Sequence, residues 1–176
     1  MKKRIEVKKE AQKLEIIIKA FYDTGKQKML LIWIVLFSLC GIAIITQFFQ
    51  DYEANYKIIF GVYLAFWLFF EFKVIYAYRW RRSGKEKISI ENNQMVLSKT
   101  IGKRGVTQQF NLNDIKKFDF FKNEGSSFLN VMNSSYWNIN KYHLAIYLEK
   151  SIVPFAIEVN NKEAKNILNE LRKVKK

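Results

Sequence analysis

Residues 29–49 read MLLIWIVLFSLCGIAIITQFF, a run of 21 residues without a charged side chain. At about 1.5 Å of rise per residue, a helix of this length crosses the ~30 Å hydrocarbon layer of a bilayer. A cleaved signal peptide has a shorter apolar region followed by small residues, whereas this run is followed by Gln50, Asp51 and Glu53. We therefore predict a retained transmembrane helix over residues 29–49.

A second apolar run, residues 58–78, reads IIFGVYLAFWLFFEFKVIYAY and contains two charged residues, Glu71 and Lys73. The long Lys73 side chain can reach the membrane interface at modest cost, which the shorter Glu71 side chain does less easily. Residues two apart on a helix face different directions, so the two charges are not expected to pair with each other. Charges within an apolar helix are functional candidates by default, and an interaction of Glu71 with a basic partner or with Arg79 stays open.

Lysine and arginine are distributed unevenly around the two apolar runs. Residues 1–28 contain nine, residues 79–87 contain five, and the connector 50–57 contains one. Because segments rich in Lys and Arg stay in the cytoplasm, both termini are predicted to be cytoplasmic. The chain is thus expected to comprise a basic cytoplasmic N-terminal segment (1–28), a two-helix transmembrane hairpin (29–82, with helices at 29–49 and 58–78) and a cytoplasmic domain (83–176).

The pattern changes from continuous apolar to alternating near Ile88, as is typical of short β-strands. The runs KISIE and QMVLSKT are separated by Asn92 and Asn93, which predicts a two-residue hairpin turn. Four more strand-like runs follow, namely VTQQFNL, DIKKFDFF, YHLAIYLE and VPFAIEV. The adjacent Lys116 and Lys117 indicate a bulge in the second of these.

The last segment, residues 160–176, changes to a helical period. Its apolar residues fall at the i, i+3, i+4 spacing of an amphipathic helix: Ala164, Ile167, Leu168, Leu171 and Val174. Asn160 or Asn161 is the expected N-cap, and Glu163 lies in the first turn. The soluble part is therefore expected to contain about six strands followed by one helix.

The pattern of residues 1–21 fits both a strand and a helix. Leu14, Ile17, Ile18 and Phe21 share one helical face, yet the same segment also permits strand alternation. We expect a short strand near Ile5, followed by a helix that leads toward the membrane.

In this order of elements, and most of all in FNLNDIKKFDFF (residues 110–121), the chain resembles the bacterial PH-like membrane proteins, the YcxB-like and related PH-domain families. The resemblance covers about residues 28–176. It implies a membrane α-hairpin plus an α+β soluble domain, a PH-like antiparallel β-barrel or sandwich of about six to seven strands with a C-terminal amphipathic helix. It also implies a location in the bacterial cytoplasmic (inner) membrane. The long stretch 122–140 departs from the pattern, so a strand is expected to be missing or displaced there.

The sequence contains no catalytic constellation. With one histidine, His143, and one cysteine, Cys40, it offers no His or Cys cluster for a metal. Its seven glycines do not form a phosphate-binding loop. We expect no metal, no cofactor and no enzymatic activity.

The net charge of +14 is concentrated beside the apolar runs, which favours a lipid surface over nucleic acid as its partner. The predicted contacts to lipid or to a partner protein are Arg79, Arg81, Arg82 and Lys85, directly after the second apolar run, and Lys103 and Arg104 in a turn. The first four also serve as a topology signal, and a basic surface turn is often merely solvated.

Two functions from different classes follow from this architecture. The first is a non-enzymatic scaffold or binding protein, whose hairpin holds a PH-like domain at the cytoplasmic membrane face to dock a protein partner and, in addition, anionic lipid. The alternative is an accessory subunit of a larger membrane enzyme or transporter complex, with the helix pair packed in a bundle. The residues proposed for that packing are Trp33, Gly41, Gly61, Trp67 and Glu71.

Overall fold

The structure is a computed structural model that describes residues 4–10, 13–121 and 135–175. The chain forms two compact units. The helical unit consists of Tyr22–Arg79, and the β unit combines Met1–Phe21 with Trp80–Lys176. The N-terminal segment was predicted to be separate from the domain at 83–176, and this division is wrong, because both segments contribute strands to one sheet.

Helix α1 (Thr24–Gln47) and helix α2 (Ala54–Ser83) are both long and apolar enough to cross a membrane. In each, 11% of the most apolar window is buried in protein, far less than in the core helix of a soluble domain. Both helices begin several residues before the apolar runs. Asp23 caps α1 by accepting a hydrogen bond from the backbone N–H of Lys26 at 2.9 Å. The second helix also continues through the basic residues to Ser83, five residues beyond the predicted end.

The two helices pack through a small residue facing a large one. Gly41 of α1 lies against the ring of Trp67, and a Cβ atom at Gly41 would overlap that ring. The Trp67 indole N–H donates to the backbone carbonyl of Phe37 at 2.9 Å. Small residues that allow close approach are typical of helix contacts within membranes.

The first sheet is a five-stranded antiparallel meander in the order β1-β2-β3-β4-β5. Its strands are β1 (Ile5–Glu10), β2 (Lys13–Lys19), β3 (Gly84–Glu91), β4 (Gln94–Ile101) and β5 (Arg104–Asn111). The strand expected near Ile5 is confirmed, but the helix expected after it is wrong. Leu14, Ile16 and Ile18 alternate into the core as β2 pairs with β3, and this pairing decides between the two patterns.

The predicted Asn92-Asn93 hairpin is confirmed. Both asparagines have positive φ, 48° and 62°, as a two-residue turn of the type favoured in hairpins requires. Strand β3 begins at Gly84, three residues before the predicted run KISIE, and thus directly after α2. Gly84 is buried against Trp80, whose ring and backbone leave no space for a Cβ atom.

The second sheet has the order β6-β7-β8, with β6 (Ile115–Phe120), β7 (Tyr142–Leu148) and β8 (Ile152–Ile157). A short 3-10 turn, Leu112–Asp114, connects β5 to β6. The register shifts between Ile115 and Lys117, which confirms the predicted bulge. The described residues thus contain eight strands, namely six within residues 83–176, as predicted, and β1 and β2 from the N-terminal segment. Most of the stretch 122–140, where a strand was expected to be missing or displaced, lies outside the described residues.

Helix α3 (Asn161–Val174) confirms the predicted C-terminal helix. The Asn160 side chain accepts from the backbone N–H of Glu163 at 2.8 Å, and the Glu163 carboxylate accepts from the N–H of Asn160 at 2.9 Å. Four of the five predicted apolar positions are buried in the core shared with both sheets, and Val174 is exposed. Both sheets and α3 therefore share one hydrophobic core.

Candidate functional site

Two basic segments that are distant in sequence meet at one end of the five-stranded sheet. The pairing of β3 with β4 places Gly84 opposite Ile101. The β4–β5 turn at Gly102 and Lys103 therefore lies beside the start of β3, and the N–H of Gly102 donates to the carbonyl of Ser83 at 3.4 Å. Gly102 has a φ of +61°, a conformation that glycine adopts without strain. The end of α2 and this turn are thus neighbours.

Four cations project from this location, and we call them the basic sheet end: Arg82, Lys85, Lys103 and Arg104. All four side chains are exposed. Within the part of the chain that the structure describes, none of the four forms an ion pair. The two predicted groups of contacts therefore lie at the same end of the sheet, with Lys85 and Arg104 on its opposite faces, and their four positive charges are exposed.

The neighbouring strand adds a fifth charge of the same sign. In the pairing of β2 with β3, Lys19 lies opposite Lys85. Like charges directly opposite each other destabilise a sheet, although Lys19 also forms an exposed ion pair with Glu6. Because Glu6 compensates Lys19, this residue adds less positive charge to the location than the four cations that form no ion pair.

Arg81 corrects the prediction for this segment. It was expected to contact lipid or a partner, but the residue is only 1% exposed. Its guanidinium forms a bidentate ion pair with the carboxylate of Glu158. It also donates to the carbonyls of Tyr136, at 2.8 Å, and Phe21, at 3.3 Å, and lies 4.4 Å from the centre of the Tyr136 ring. Successive helix residues point about 100° apart, so Arg81 faces inward while Arg82 faces outward.

Arg79 is exposed, but it belongs to the helical unit, so we do not assign it to the basic sheet end. Its predicted contact with lipid or a partner stays a prediction.

A second pair of buried charges lies near the end of β8. Glu86 is 1% exposed and accepts a 2.7 Å hydrogen bond from the N–H of Ile157. Lys99 lies 3.7 Å from the Glu86 carboxylate and donates to the carbonyl of Pro154 at 3.1 Å. Burial raises the pKa of Glu86, against the opposing effects of Lys99 and of backbone N–H groups, and burial lowers the pKa of Lys99.

The backbone around Ile157 is strained, since Ala156 and Glu158 both have positive φ, 61° and 54°. Arg4 donates to the carbonyls of Ile157 and Glu158, at 2.9 and 2.8 Å. Glu158 and Glu86 therefore connect segments from the start, the middle and the end of the chain. No sequence pattern indicates these contacts, because partners such as Arg81 and Glu158 are 77 residues apart. We interpret this charged cluster as a structural cross-link, since its carboxylates are already paired.

Within the helical unit, the Glu71 side chain is buried and its carboxylate accepts a 2.6 Å hydrogen bond from the Ser38 hydroxyl. The partner of Glu71 is thus a hydroxyl group of α1, and not a basic group or Arg79, the two alternatives that the sequence left open. Lys73 is exposed, and its ammonium lies 4.6 Å from the centre of the Phe69 ring. As expected, the two charges do not pair with each other.

Among residues 4–10, 13–121 and 135–175, no group of three or more His, Cys, Asp or Glu side chains is placed to hold a metal ion. Comparison with known proteins does not assign the chain to a family. No family model matches the chain, and a search of curated proteins finds no similar sequence. The resemblance to the PH-like membrane proteins therefore stays a prediction.

Proposed function

We propose that this protein is a non-enzymatic, membrane-anchored scaffold, in which α1 and α2 span a bacterial cytoplasmic membrane as a hairpin and the β unit acts as a PH-like domain at the cytoplasmic face. There it docks a protein partner and binds anionic lipid. Two exposed apolar helices and the concentration of Lys and Arg outside their connector support this proposal.

The observation that carries the proposal is the basic sheet end and its place in the chain. The apolar run ends at Tyr78, and Arg82 lies four residues later in the same continuous helix. At about 1.5 Å of rise per residue this is ~6 Å, comparable to the thickness of the headgroup layer. Lys85 follows three residues later. Arg82 thus follows the apolar run by about one helical turn, and the Lys103 turn neighbours the end of α2.

The chemistry of this surface fits anionic headgroups. Each Lys or Arg near a membrane surface contributes about 1 kcal/mol of attraction to anionic lipid, so four give at most ~4 kcal/mol. Exposed charges are screened over about 8 to 10 Å at physiological salt, so the contact weakens as salt rises. The domain is already anchored by α2, and the role of this attraction is to orient the β unit for its partner.

The alternative, an accessory subunit within a helix bundle, has less support. Three of the five residues suggested for bundle contacts, Gly41, Trp67 and Glu71, pack or bond within the hairpin itself. A Cβ atom at Gly61 would meet open space, and Trp33 is exposed. Two isolated residues are a weaker basis for a bundle contact than four exposed cations at one end of a sheet are for a headgroup contact.

The test uses the full chain in nanodiscs of phosphatidylcholine, with or without phosphatidylglycerol, and measures amide hydrogen exchange of the β4–β5 turn. We expect slower exchange in the anionic discs, and loss of the difference in 1 M salt, where the screening length falls to ~3 Å. Replacing all four residues of the basic sheet end with glutamine should abolish the difference. A matched variant should retain it, with glutamine at four other exposed lysines: Lys116, Lys150, Lys162 and Lys165. Equal exchange in both kinds of disc would contradict the proposal.

A further inference from the structure

The outer edge of the first sheet has unpaired backbone groups. The N–H of Lys19 donates to the carbonyl of Arg4, so these two residues form a hydrogen-bonded pair. Hydrogen-bonded and non-hydrogen-bonded pairs alternate along antiparallel strands, and Ile5, Val7 and Lys9 lie at the non-hydrogen-bonded positions. Their N–H and C=O groups therefore point away from β2. In the described parts of the chain, β1 is an edge strand, and no turn or loop hydrogen bond reaches these groups.

The side chains of this edge border an open groove, and the ion pair of Lys9 with Glu170 connects its two sides. A groove of about 700 Å³ runs between β1 and α3, lined by Ile5, Val7 and Lys9 on one side and by Ile167 and Glu170 on the other. Val7 shares the core-facing side of the sheet with Ile16, its partner on β2, yet it is 44% exposed. An added strand would pair the free backbone groups and cover this apolar side chain.

The charge pattern of β1 is complementary to itself. Glu6, Lys8 and Glu10 alternate in sign along the solvent-facing side, whereas the Arg4 guanidinium is turned to the carbonyls of Ile157 and Glu158. When two copies of β1 lie antiparallel with Val7 opposite Val7, Glu6 of each copy lies opposite Lys8 of the other, which gives two ion pairs. This register also pairs Ile5 with Lys9, so every backbone group that points outward meets one on the second copy.

The same pattern disfavours the neighbouring registers. A shift that centres the pair on residue 6 places Glu6 opposite Glu6. A shift that centres it on residue 8 places Lys8 opposite Lys8, and Glu6 opposite Glu10. Like charges directly opposite each other are destabilising, so one register is selected. Charged edge strands generally resist pairing, and here the alternation of sign permits it with a second copy.

We propose that this protein forms a symmetric dimer through antiparallel pairing of β1 with β1 of a second copy, centred on Val7. The two five-stranded sheets then form one continuous sheet. The contact is isologous, as expected of a two-fold dimer, because each copy presents the same strand. This proposal does not depend on the basic sheet end, so the failure of either proposal would leave the other unaffected.

Disulfide trapping tests the register in the full chain in nanodiscs, with Cys40, the only cysteine, replaced by alanine. In the proposed register the two Val7 Cα atoms are about 5.5 Å apart, within the range for a disulfide. Val7→Cys should therefore form disulfide dimers under mild oxidation. Glu10→Cys should not, since its two copies are six residues out of register, about 20 Å. Val106→Cys, on the other edge strand and 69% exposed, measures random collision.

A charge exchange tests the complementarity. Glu6→Lys in the Val7→Cys background places like charges opposite each other twice in the dimer, and should weaken association about tenfold. Adding Lys8→Glu should restore it, although the ion pair of Glu6 with Lys19 within one copy stays lost. Trapping of Val7→Cys at the rate of Val106→Cys would overturn the proposal. Failure of Lys8→Glu to restore trapping would overturn the register, and a disulfide to a different polypeptide would show a foreign strand at this edge.

Discussion

Arg81 and Arg82 are neighbours in sequence with opposite environments, and this contrast gives a sharp prediction. Arg81→Met should strongly destabilise the β unit, whereas Arg82→Met should change its free energy of unfolding by no more than about 0.5 kcal/mol. Methionine keeps much of the length of the side chain and removes the charge in both variants. The two substitutions therefore differ only in what surrounds the lost guanidinium.

The expected magnitude follows from the contacts. Removing one partner of a buried ion pair generally costs about 3 to 5 kcal/mol, because the other charge is left buried and uncompensated. Glu158 is nearly buried, but Lys141 lies 3.7 Å from its carboxylate and partly compensates it. Arg81→Met also leaves the carbonyl of Tyr136 without two hydrogen bonds. We therefore expect about 3 kcal/mol, a large part of the ~5 to 15 kcal/mol that stabilises a typical domain.

Hydrogen exchange of the β3 amides in the full chain, in mild detergent, reports the opening of the β unit. Arg81→Met should accelerate exchange of the most protected amides by about a hundredfold, which corresponds to ~3 kcal/mol. The double variant Arg81→Met with Glu158→Leu should recover part of this loss, because no buried carboxylate is left unpaired. Equal exchange in the Arg81→Met and Arg82→Met variants would refute the reasoning that burial of this ion pair holds the domain together.

Two further predictions concern the helix contact and the buried carboxylate. Gly41→Ala should destabilise the hairpin by about 1 to 3 kcal/mol through overlap with Trp67, whereas Gly61→Ala, with open space around it, should be neutral or stabilising; thermal unfolding in detergent compares them. Because burial raises the pKa of Glu86 above its ordinary 4.5, the folded state binds the proton more tightly, and this group lowers stability as pH rises from about 4.5 through the raised pKa. Glu86→Gln should remove that part of the pH dependence. Urea unfolding at several pH values would contradict this prediction if the free energy of unfolding changed equally with pH in both proteins.

Local physics determined the features that could be predicted from the sequence. The apolar runs specify two long helices because their length and hydropathy suit a bilayer whatever their neighbours are. The Asn92-Asn93 turn and the Asn160–Glu163 capping box depend on residues at most three apart. The buried face of α3 follows from its helical period in the same way. The predictions of these elements were correct because the contacts that stabilise each element lie within a few residues of sequence.

The tertiary structure alone decided the features that depend on pairing between distant segments. Leu14 to Ile18 fit a helix and a strand equally well, and pairing with β3, about 70 residues later, selected the strand. The sequence indicated a basic segment at Arg81 and Arg82, but not that one guanidinium is buried against Glu158 and the other exposed. The meeting of Lys85 with the Lys103 turn likewise results from strand register. Sequence periodicity records which face a residue occupies within its own element, and it contains no information about which distant element covers that face.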